Sequence, residues 1–450
     1  MMDQIKKKKI TVLGAARSGV SAAVMLKKLE AQVYVSDSAP LCSKQEQAAE
    51  LGRNGIAFEF GRHTERSFNA DFVVLSPGIP VRSDIVQKFL QRGIPVYSEI
   101  EVAAWFCRAP MIAVTGSNGK TTTTTLIGEM LKEHFSCPIV AGNIGQPFSD
   151  YVLESDPGSP AVIEVSSFQL ETIDRFHPKV AVVLNFAPNH LDRYDSYENY
   201  LEAKWRITKN LQQDDILIFN GSDKRLSARS REPNCRKQAF YIQPHPEATA
   251  WFDGQSLYLD EDRLLNVNEM ALKGPHNYLN ALAAALAARA VGVPNSAIVR
   301  VLRSFRGIEH RLEPVAEIDG VQYINDSKAT TVEALAVALQ SFNTPIILIA
   351  GGKDKGSDFG KLNDLIKQHV KDCILIGAAT EKMADAWQEL TNIYKADSLE
   401  NAVQHASQIA ASGEVVLLSP ACASFDMFKD FEDRGRKFKA MVNKLRKSDG

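Results

Sequence analysis

The sequence predicts an α/β protein of three domains, each built on a mostly parallel sheet. Short apolar runs alternate with amphipathic helical segments along the whole chain, which is the pattern of strand–helix–strand units. The 450 residues are enough for about three domains at roughly 150 residues each. We expect these domains to span residues 1–98, 99–306 and 307–450.

Each predicted domain contains several apolar strands. They are expected at residues 10–13, 33–37 and 72–75 in the first domain, 111–114, 161–165 and 180–184 in the central domain, and 346–349, 373–376 and 415–418 in the third. A helix is expected at residues 20–29, and an alanine-rich helix at 277–290 is expected to close the central domain.

Composition excludes several classes of protein. A net charge of −2 argues against a nucleic-acid binder with a basic face. No apolar run is long enough to span a bilayer, and the basic residues 6–9 precede a strand-like run rather than a signal peptide. The six cysteines include no CxxC pair, which favours reduced thiols over a disulfide framework or a zinc site. We therefore expect a cytoplasmic protein without membrane insertion.

The strongest motif lies at residues 115–122, between a strand and an apolar-periodic helix. Successive backbone N–H groups and a helix N-terminus form an anion cradle in such a turn. Lys120 can reach the β- and γ-phosphates, and the Thr121 hydroxyl can ligate Mg²⁺. The general P-loop pattern has glycine where this chain has Val114, and the alternative is a glycine-rich turn with a solvent-facing lysine. The motif predicts a P-loop ATPase-like central domain that binds phosphate, the phosphates of ATP in such domains, through Gly116, Ser117, Asn118, Gly119, Lys120, Thr121 and Thr122.

Polar residues follow two other strands of the central domain. Glu164 ends one strand and is placed to meet Mg²⁺ on the phosphate loop, because parallel strands end at the same edge of a sheet. Its alternative role is to cap the following helix. His190 follows the next strand, where a structural role is the alternative. Lys204, on its own residue type and context, is predicted to be an ordinary surface lysine.

The N-terminal turn at residues 14–19 is a degenerate dinucleotide fingerprint in a Rossmann-like domain. Ala16 stands where a second glycine would allow close approach of a pyrophosphate. Asp37 ends the second strand, where ribose-binding acids occur. An ordinary βα turn and a helix cap are the alternatives, and an oxidoreductase is a rival function on this feature alone.

Residues 115–122, together with the stretch at 189–194, resemble the Mur ligase family, and the resemblance covers essentially the whole chain. It implies an ATP-dependent ligase that joins a carboxylate to an amine through an acyl phosphate, with two Mg²⁺ ions. In the family, the residue matching Glu164 ligates the metal, the one matching His190 helps to hold a second ion, and the one matching Lys204 carries a carbamate. The implied catalytic residues are Lys120, Glu164, His190 and Lys204, and the implied metal ligands are Thr121, Glu164, His190 and Lys204.

The same resemblance implies the binding sites for the two nucleotides. The first domain would hold a UDP-linked precursor rather than NAD. The implied precursor contacts are Arg17, Ser18, Asp37, Ser76, Gly78, Asn143, Ser166 and His190. A Rossmann-like third domain would close over ATP by a hinge near residues 306–307, and further ATP contacts would be Asn277, Arg311, Asp326 and Lys328.

Residues 419–431 resemble the members of the family that add D-glutamate, although Phe425 stands where those members carry leucine. The implied D-glutamate pocket consists of Thr330, Lys355, Ser424, Phe425 and Phe431. The implied function is addition of D-glutamate to UDP-N-acetylmuramoyl-L-alanine by a monomer, in peptidoglycan precursor synthesis. The alternatives are another Mur-type or folylpolyglutamate-type ligase with a different donor, and a catalytically inactive nucleotide-binding relative.

Overall fold

The computed structural model describes residues 5–143, 145–187, 194–342, 344–354 and 356–448. The chain divides into two compact units between Phe305 and Arg306. The first unit contains two sheets and the second unit contains one. Each sheet is mostly parallel, which confirms the predicted fold class; the boundary near residue 98 stays a prediction.

The first sheet has five strands, all parallel. Its elements are β1 (Lys9–Leu13), α1 (Arg17–Lys28), β2 (Gln32–Asp37), α2 (Gln45–Arg53), β3 (Ala57–Phe60), β4 (Phe72–Leu75), α3 (Asp84–Gln91), β5 (Val96–Ser98) and α4 (Glu99–Ala104). The strand order is β3-β2-β1-β4-β5. The order reverses at β1, and sheets of this kind bind ligands at the carboxyl ends of the strands around that point.

The second sheet has nine strands. Its elements are β6 (Met111–Thr115), α5 (Lys120–Lys132), β7 (Ile139–Gly142), β8 (Ala161–Glu164), α6 (Ser167–Leu170), β9 (Val180–Val183), α7 (Tyr197–Trp205), β10 (Ile216–Asn220), α8 (Lys224–Arg229), β11 (Arg236–Tyr241), β12 (Ala248–Phe252), β13 (Ser256–Leu259), β14 (Asp262–Asn266), α9 (Pro275–Ala290) and α10 (Asn295–Ser304). The order is β14-β13-β12-β11-β10-β9-β6-β8-β7, and its two antiparallel pairs are β12–β13 and β13–β14. The expectation that the alanine-rich helix closes this domain was wrong, because α10 follows it.

The third sheet has six strands. Its elements are β15 (Glu313–Ile318), β16 (Val321–Asn325), α11 (Val332–Leu339), β17 (Ile346–Gly351), α12 (Asn363–His369), β18 (Val370–Ile376), α13 (Thr380–Trp387), β19 (Asn392–Lys395), α14 (Leu399–Ile409), β20 (Val415–Leu418) and α15 (Phe431–Ser448). The order is β15-β16-β20-β17-β18-β19, with an antiparallel edge strand β15.

The central strands read as uninterrupted apolar runs because both of their faces are covered. In β6, Met111 and Ala113 belong to one hydrophobic core, and Ile112 and Val114 to another. Side chains alternate between the faces of a strand, so a strand between two layers of helices must be apolar throughout. None of the helices in the described ranges has the length and hydropathy needed to cross a membrane.

Candidate active site

The phosphate loop follows β6 and requires glycine at two positions. Gly116 has φ +153° and Gly119 has φ +82°, values that other residues rarely adopt. A Cβ on Gly119 would collide with Oδ1 of Asn280, and a Cβ on Gly116 would lie 2.9 Å from Cβ of Leu184. The loop therefore passes close to α9 on one side and to the end of β9 on the other.

Val114, the departure from the general P-loop pattern, belongs to the strand and not to the loop. It is fully buried and is paired with Glu164 of β8 and Val182 of β9. The strand continues through Thr115, so the turn begins at Gly116. A glycine at position 114 would leave a gap in the core without freeing the turn.

The chain leaving β9 holds the tip of the phosphate loop. The backbone N–H of Asn118 donates to Oδ1 of Asn185 (2.9 Å), and Nδ2 of Asn185 donates to the carbonyl oxygen of Asn118 (3.1 Å). The N–H of Ser117 donates to the carbonyl oxygen of Asn185 (3.0 Å). The Ser117 hydroxyl contacts the backbone of Ala187 at 2.8 Å and 2.9 Å. Asn185 was not predicted from the sequence, because only its contacts identify it.

Lys120, the first residue of α5, folds back over the loop. Its ammonium donates to the carbonyl oxygens of Gly116 (2.9 Å) and Ser117 (3.0 Å). The alternative of a solvent-facing lysine is therefore wrong. Thr121 is buried and Thr122 is half-buried in the same first turn of the helix.

Lys204 of α7 lies against the same loop and is only 1% exposed. Its Nζ donates to the carbonyl oxygen of Gly116 (2.9 Å) and lies 4.5 Å from the ring centre of Tyr200. Burial lowers the pKa of Lys204 well below its usual value; the like charge of Lys120 lowers it further, and Glu164 opposes both. The surface position predicted from the residue alone was wrong, and burial of this kind favours the neutral form of an amine.

Glu164 ends β8 and is 2% exposed. Its Oε1 accepts a hydrogen bond from Nδ2 of Asn143 (3.1 Å), and its Oε2 has no partner among the described residues. The proposed cap role was wrong, because Ser166 and Gln169 form the capping box of α6. A buried carboxylate oxygen without a partner is costly, and a hard cation is the type of group that satisfies it.

The buried Glu164 oxygen without a partner is the observation that fits a magnesium ion. Within the described ranges, His, Cys, Asp and Glu form no cluster of three that could hold a metal. The available oxygen donors are Glu164 and the hydroxyl of Thr121. His190, the other predicted ligand, lies outside the described residues.

Asp37 organises the edge of the first sheet where the precursor was predicted to bind. Its carboxylate accepts hydrogen bonds from the N–H groups of Ala15 (2.6 Å) and Ala39 (2.8 Å), and Lys44 lies 3.4 Å away. Burial alone would raise the pKa of Asp37, but these partners together hold it below its ordinary value. The ionised carboxylate therefore fixes the turn between β1 and α1.

The other predicted precursor residues are divided between the two sheets of the first unit. Ser76 is buried beside the turn after β1, where its N–H donates to Leu13, while Gly78 is exposed and Ser18 is half-buried. Arg17 crosses to the central domain, where it donates to the carbonyl oxygen of Gly145 (2.5 Å). Asn143 lies in that same loop, next to Glu164.

Asn277 lies near the start of α9, where its Nδ2 donates to the carbonyl oxygen of Lys273 (2.7 Å). Asn280, one turn later, donates to Oδ1 of Asn277 (3.4 Å) and accepts from the Thr123 hydroxyl (3.4 Å). The predicted nucleotide contact is thus linked through Asn280 to α5.

In the second unit, Asp326 joins two of the predicted motifs. It accepts hydrogen bonds from the N–H of Leu312 (3.1 Å) and the hydroxyl of Ser419 (2.8 Å). Burial raises its pKa to about 6. The N–H of Lys328 donates to the carbonyl oxygen of His310 (3.0 Å), while Arg311 is exposed.

Arg434 of α15 holds two segments of the predicted D-glutamate pocket and was missed by the sequence analysis. Its buried guanidinium donates to the hydroxyl and carbonyl of Ser327 (both 2.9 Å) and to the carbonyl oxygen of Cys422 (3.2 Å). Nothing in the local sequence separates this arginine from its exposed basic neighbours.

The remaining pocket residues differ in exposure. Ser424 is buried, and Thr330 and Phe431 are half-buried. Nζ of Lys328 lies 5.9 Å from the ring centre of Phe431. Phe425 is 66% exposed. Lys355 lies outside the described residues.

Comparisons with known proteins agree along the whole chain. Residues 9–85 match the MurD N-terminal domain, residues 114–288 the Mur ligase middle domain, and residues 310–422 the Mur ligase glutamate ligase domain. The UDP-N-acetylmuramoylalanine–D-glutamate ligase of Salinibacter ruber is 43% identical over 98% of this chain and 99% of its own. The enzyme of the same name from Thermoanaerobacter pseudethanolicus is 40% identical over 99% and 100%.

A solved structure supports the fold alone. The MurF ligase of Thermotoga maritima in complex with ADP superimposes with a TM-score of 0.56 at 18% identity, covering 99% of this chain and 100% of that one. The phosphate loop, the buried lysine and glutamate beside it, and identity above 40% over nearly the full length lead to one conclusion. The chain belongs to the Mur ligase family.

Proposed function

We propose that this chain adds D-glutamate to UDP-N-acetylmuramoyl-L-alanine at the expense of ATP, as a cytoplasmic monomer in peptidoglycan precursor synthesis. The observation that carries the chemistry is the meeting of Lys204 and Lys120 at Gly116, beside the carboxylate of Glu164. The full-length likeness to relatives named for D-glutamate addition supports the choice of donor.

The reaction needs an activated acid, because a free carboxylate oxygen is a poor leaving group. Transfer of the γ-phosphoryl group of ATP to the L-alanine carboxylate forms an acyl phosphate and ADP. The amine of D-glutamate then attacks the carbonyl carbon, the C–N bond forms, a proton is lost from nitrogen, and phosphate leaves. No protein nucleophile is required, so the residues act by positioning the substrates and by offsetting the negative charge of the phosphoryl group and the carboxylate.

Lys120 is the residue best placed to follow the transferred phosphoryl group. Its ammonium already lies over the loop carbonyls, and it has the length to exchange them for phosphate oxygens. Asn185 keeps the loop backbone in place during that exchange.

Two Mg²⁺ ions would be held by Thr121, Glu164, His190 and a carbamylated Lys204. A bound ion offsets the repulsion between the carboxylate and the phosphate chain. Lys204 supports this assignment because burial lowers its pKa, and a neutral amine is the form that adds CO₂. The resulting carbamate is an anionic oxygen ligand, which suits a hard cation.

The substrate contacts are assigned as the motifs predict. The precursor would be bound by Arg17, Ser18, Asp37, Ser76, Gly78, Asn143, Ser166 and His190. ATP would be bound by residues 116–122 of the phosphate loop and by Asn277, Arg311, Asp326 and Lys328. D-Glutamate would be bound by Thr330, Lys355, Ser424, Phe425 and Phe431. The bonds from Arg434 to the segments around Ser327 and Cys422 support a preformed pocket.

The test is phosphate release from ATP with UDP-N-acetylmuramoyl-L-alanine as acceptor. D-Glutamate, L-glutamate, L-alanine and meso-diaminopimelate are compared as donors. We expect release that requires both the precursor and D-glutamate. Release with another donor would contradict the D-glutamate pocket but keep the ligase chemistry, and no release with any pair would favour a non-catalytic relative.

A further inference from the structure

Three side chains form a hydrogen-bond chain at the carboxyl edge of the first sheet. Glu59 of β3 accepts hydrogen bonds from the hydroxyl of Ser36 (2.7 Å) and from the N–H (3.0 Å) and hydroxyl (2.7 Å) of Thr64. Burial alone would raise the pKa of Glu59, but these bonds outweigh burial and hold it below its ordinary value. Glu59 is therefore ionised at neutral pH and acts only as an acceptor.

The tautomer of His63 follows from these hydrogen bonds. The single hydroxyl proton of Ser36 is donated to Glu59, so the oxygen of Ser36 must accept the bond from Nδ1 of His63, 2.7 Å away. Nδ1 therefore carries the proton, and the neutral ring keeps its lone pair on Nε2. Ser36 is fully buried, so the ring has a rigid anchor.

His63 lies at the edge where the precursor is proposed to bind. It follows the end of β3 by three residues, and Asp37, which ends the neighbouring strand β2, is close enough for its charge to act on the ring. The carboxylate of Asp37 is largely occupied by Ala15, Ala39 and Lys44. Nε2 of the half-buried His63 has no hydrogen-bond partner among the described residues. The edge thus holds an acceptor that the fold does not use.

We propose that Nε2 of His63 accepts a hydrogen bond from the uridine moiety of the precursor, either from a ribose hydroxyl or from N3–H of the uracil. The proposal rests on the proposed function, which supplies the UDP-linked substrate. A lone-pair acceptor on a ring that feels the charges of two carboxylates, Glu59 and Asp37, suits a neutral donor group and not a phosphate. Such sheets bind nucleotides at the carboxyl edge near the reversal of strand order, and Asp37, whose charge acts on the ring, ends the strand next to that point.

The test measures the Kd of UDP-N-acetylmuramoyl-L-alanine by calorimetry for the full chain and for His63→Phe. Loss of one neutral hydrogen bond predicts roughly three- to tenfold weaker binding. The KM for ATP should not change. His369→Phe, the same substitution in α12 of the other unit, is the matched control and should leave the Kd unchanged.

Analogues of the precursor identify the donor. The 2′-deoxy, 3′-deoxy and N3-methyl forms each lack one candidate group. One of them should bind the native protein as weakly as the full precursor binds His63→Phe, with no further loss in the variant. If His63→Phe weakened binding of the precursor and of all three analogues by the same factor, the ring would only support the structure of the edge, and the proposal would be overturned. A His63→Phe variant with native affinity would also overturn it.

Two further measurements test the proposal if His63→Phe fails to fold. His63→Gln keeps an acceptor oxygen and should bind more tightly than any variant without one. In the native protein, binding should weaken as the pH falls through the pKa of His63, because the protonated ring has no lone pair. Burial and the charge of Lys88 lower this pKa, while the charges of Glu59 and Asp37 raise it by a smaller amount. The diphosphate of the precursor is a diester without the ionisation that a phosphate monoester has near pH 6. A Kd that stays flat while NMR shows the His63 ring titrating would contradict the proposal.

Failure of the proposed function is distinguishable from failure of this inference. Binding is measured without turnover, so a different amino-acid donor would leave the role of His63 intact. A native protein that binds no UDP-linked precursor would overturn both.

Discussion

The phosphate loop and helix α7 each contribute a lysine that donates to the same carbonyl oxygen, but the two lysines differ in how far the local sequence predicts their roles. Nζ of Lys120 and Nζ of Lys204 both lie 2.9 Å from the oxygen of Gly116. Lys120 is part of a contiguous motif whose glycines shape the turn around it. Lys204 stands in a helix with no distinguishing local pattern. A role set by the adjacent backbone is visible in local sequence, whereas a role set by burial is not.

The same difference separates the chemistry of the two side chains. Lys120 is half-buried and satisfied by two carbonyl oxygens. Lys204 is buried against Tyr200, and its pKa is lowered by burial and by the charge of Lys120. Lys120 therefore lies where the proposed function needs a partner for phosphate, and the lowered pKa of Lys204 favours the neutral amine that the proposed carbamate requires.

Lys120→Met is expected to have the largest effect. Removing a cation that meets charge developing on the phosphoryl group should lower kcat by about 10³-fold. Steady-state phosphate release measures it, with Lys132→Met at the far end of α5 as the control. A kcat within fivefold of the native value would show that the motif does not carry the chemistry.

Lys204→Met is expected to lower kcat by about 10²-fold while leaving thermal stability unchanged or higher. The proposed carbamate ligand is lost, but an apolar side chain replaces a buried amine, and Gly116 keeps its bond from Lys120. Native activity should rise with bicarbonate and the activity of the variant should not. Lys209→Met in the following turn is the control. Full activity of Lys204→Met at every bicarbonate concentration would contradict the carbamate hypothesis.

Asn185→Ala tests the connection between the phosphate loop and β9. The variant loses both side-chain bonds to Asn118, so we expect a KM for ATP about tenfold higher and a smaller change in kcat. Asn210→Ala also removes an amide that makes two bonds to backbone, away from the loop, and serves as the control. Similar values of KM for the two variants would assign the effect to general loosening.

Tyr200→Phe is expected to have the smallest effect. It removes the 3.1 Å hydrogen bond to the Ser117 hydroxyl but keeps the ring beside Lys204. We expect roughly a two- to threefold fall in kcat/KM, whereas Tyr200→Leu, which also removes the ring, should cost more. If Tyr200→Phe were as damaging as Lys204→Met, the hydroxyl and not the buried lysine would be the functional link.

The predicted strand bounds agree best with the structure where a strand is buried on both faces. Residues 72–75 and 415–418 are strands with the predicted bounds, because an apolar run ends where its cover ends. The strands β12 to β14 were not anticipated, since their buried and more exposed residues do not alternate regularly and their pairing depends on β11. Edge strands are defined by a neighbour more than by their own composition.

The sequence by itself determined the layered α/β architecture and the phosphate loop, because apolar periodicity and glycine backbone conformations act over a few residues. The tertiary structure decided which polar groups lose contact with water. It buried Lys204, left one oxygen of Glu164 without a partner in the described residues, and placed Arg434 between two motifs. Burial depends on which distant segment covers a side chain, and no local pattern carries that information.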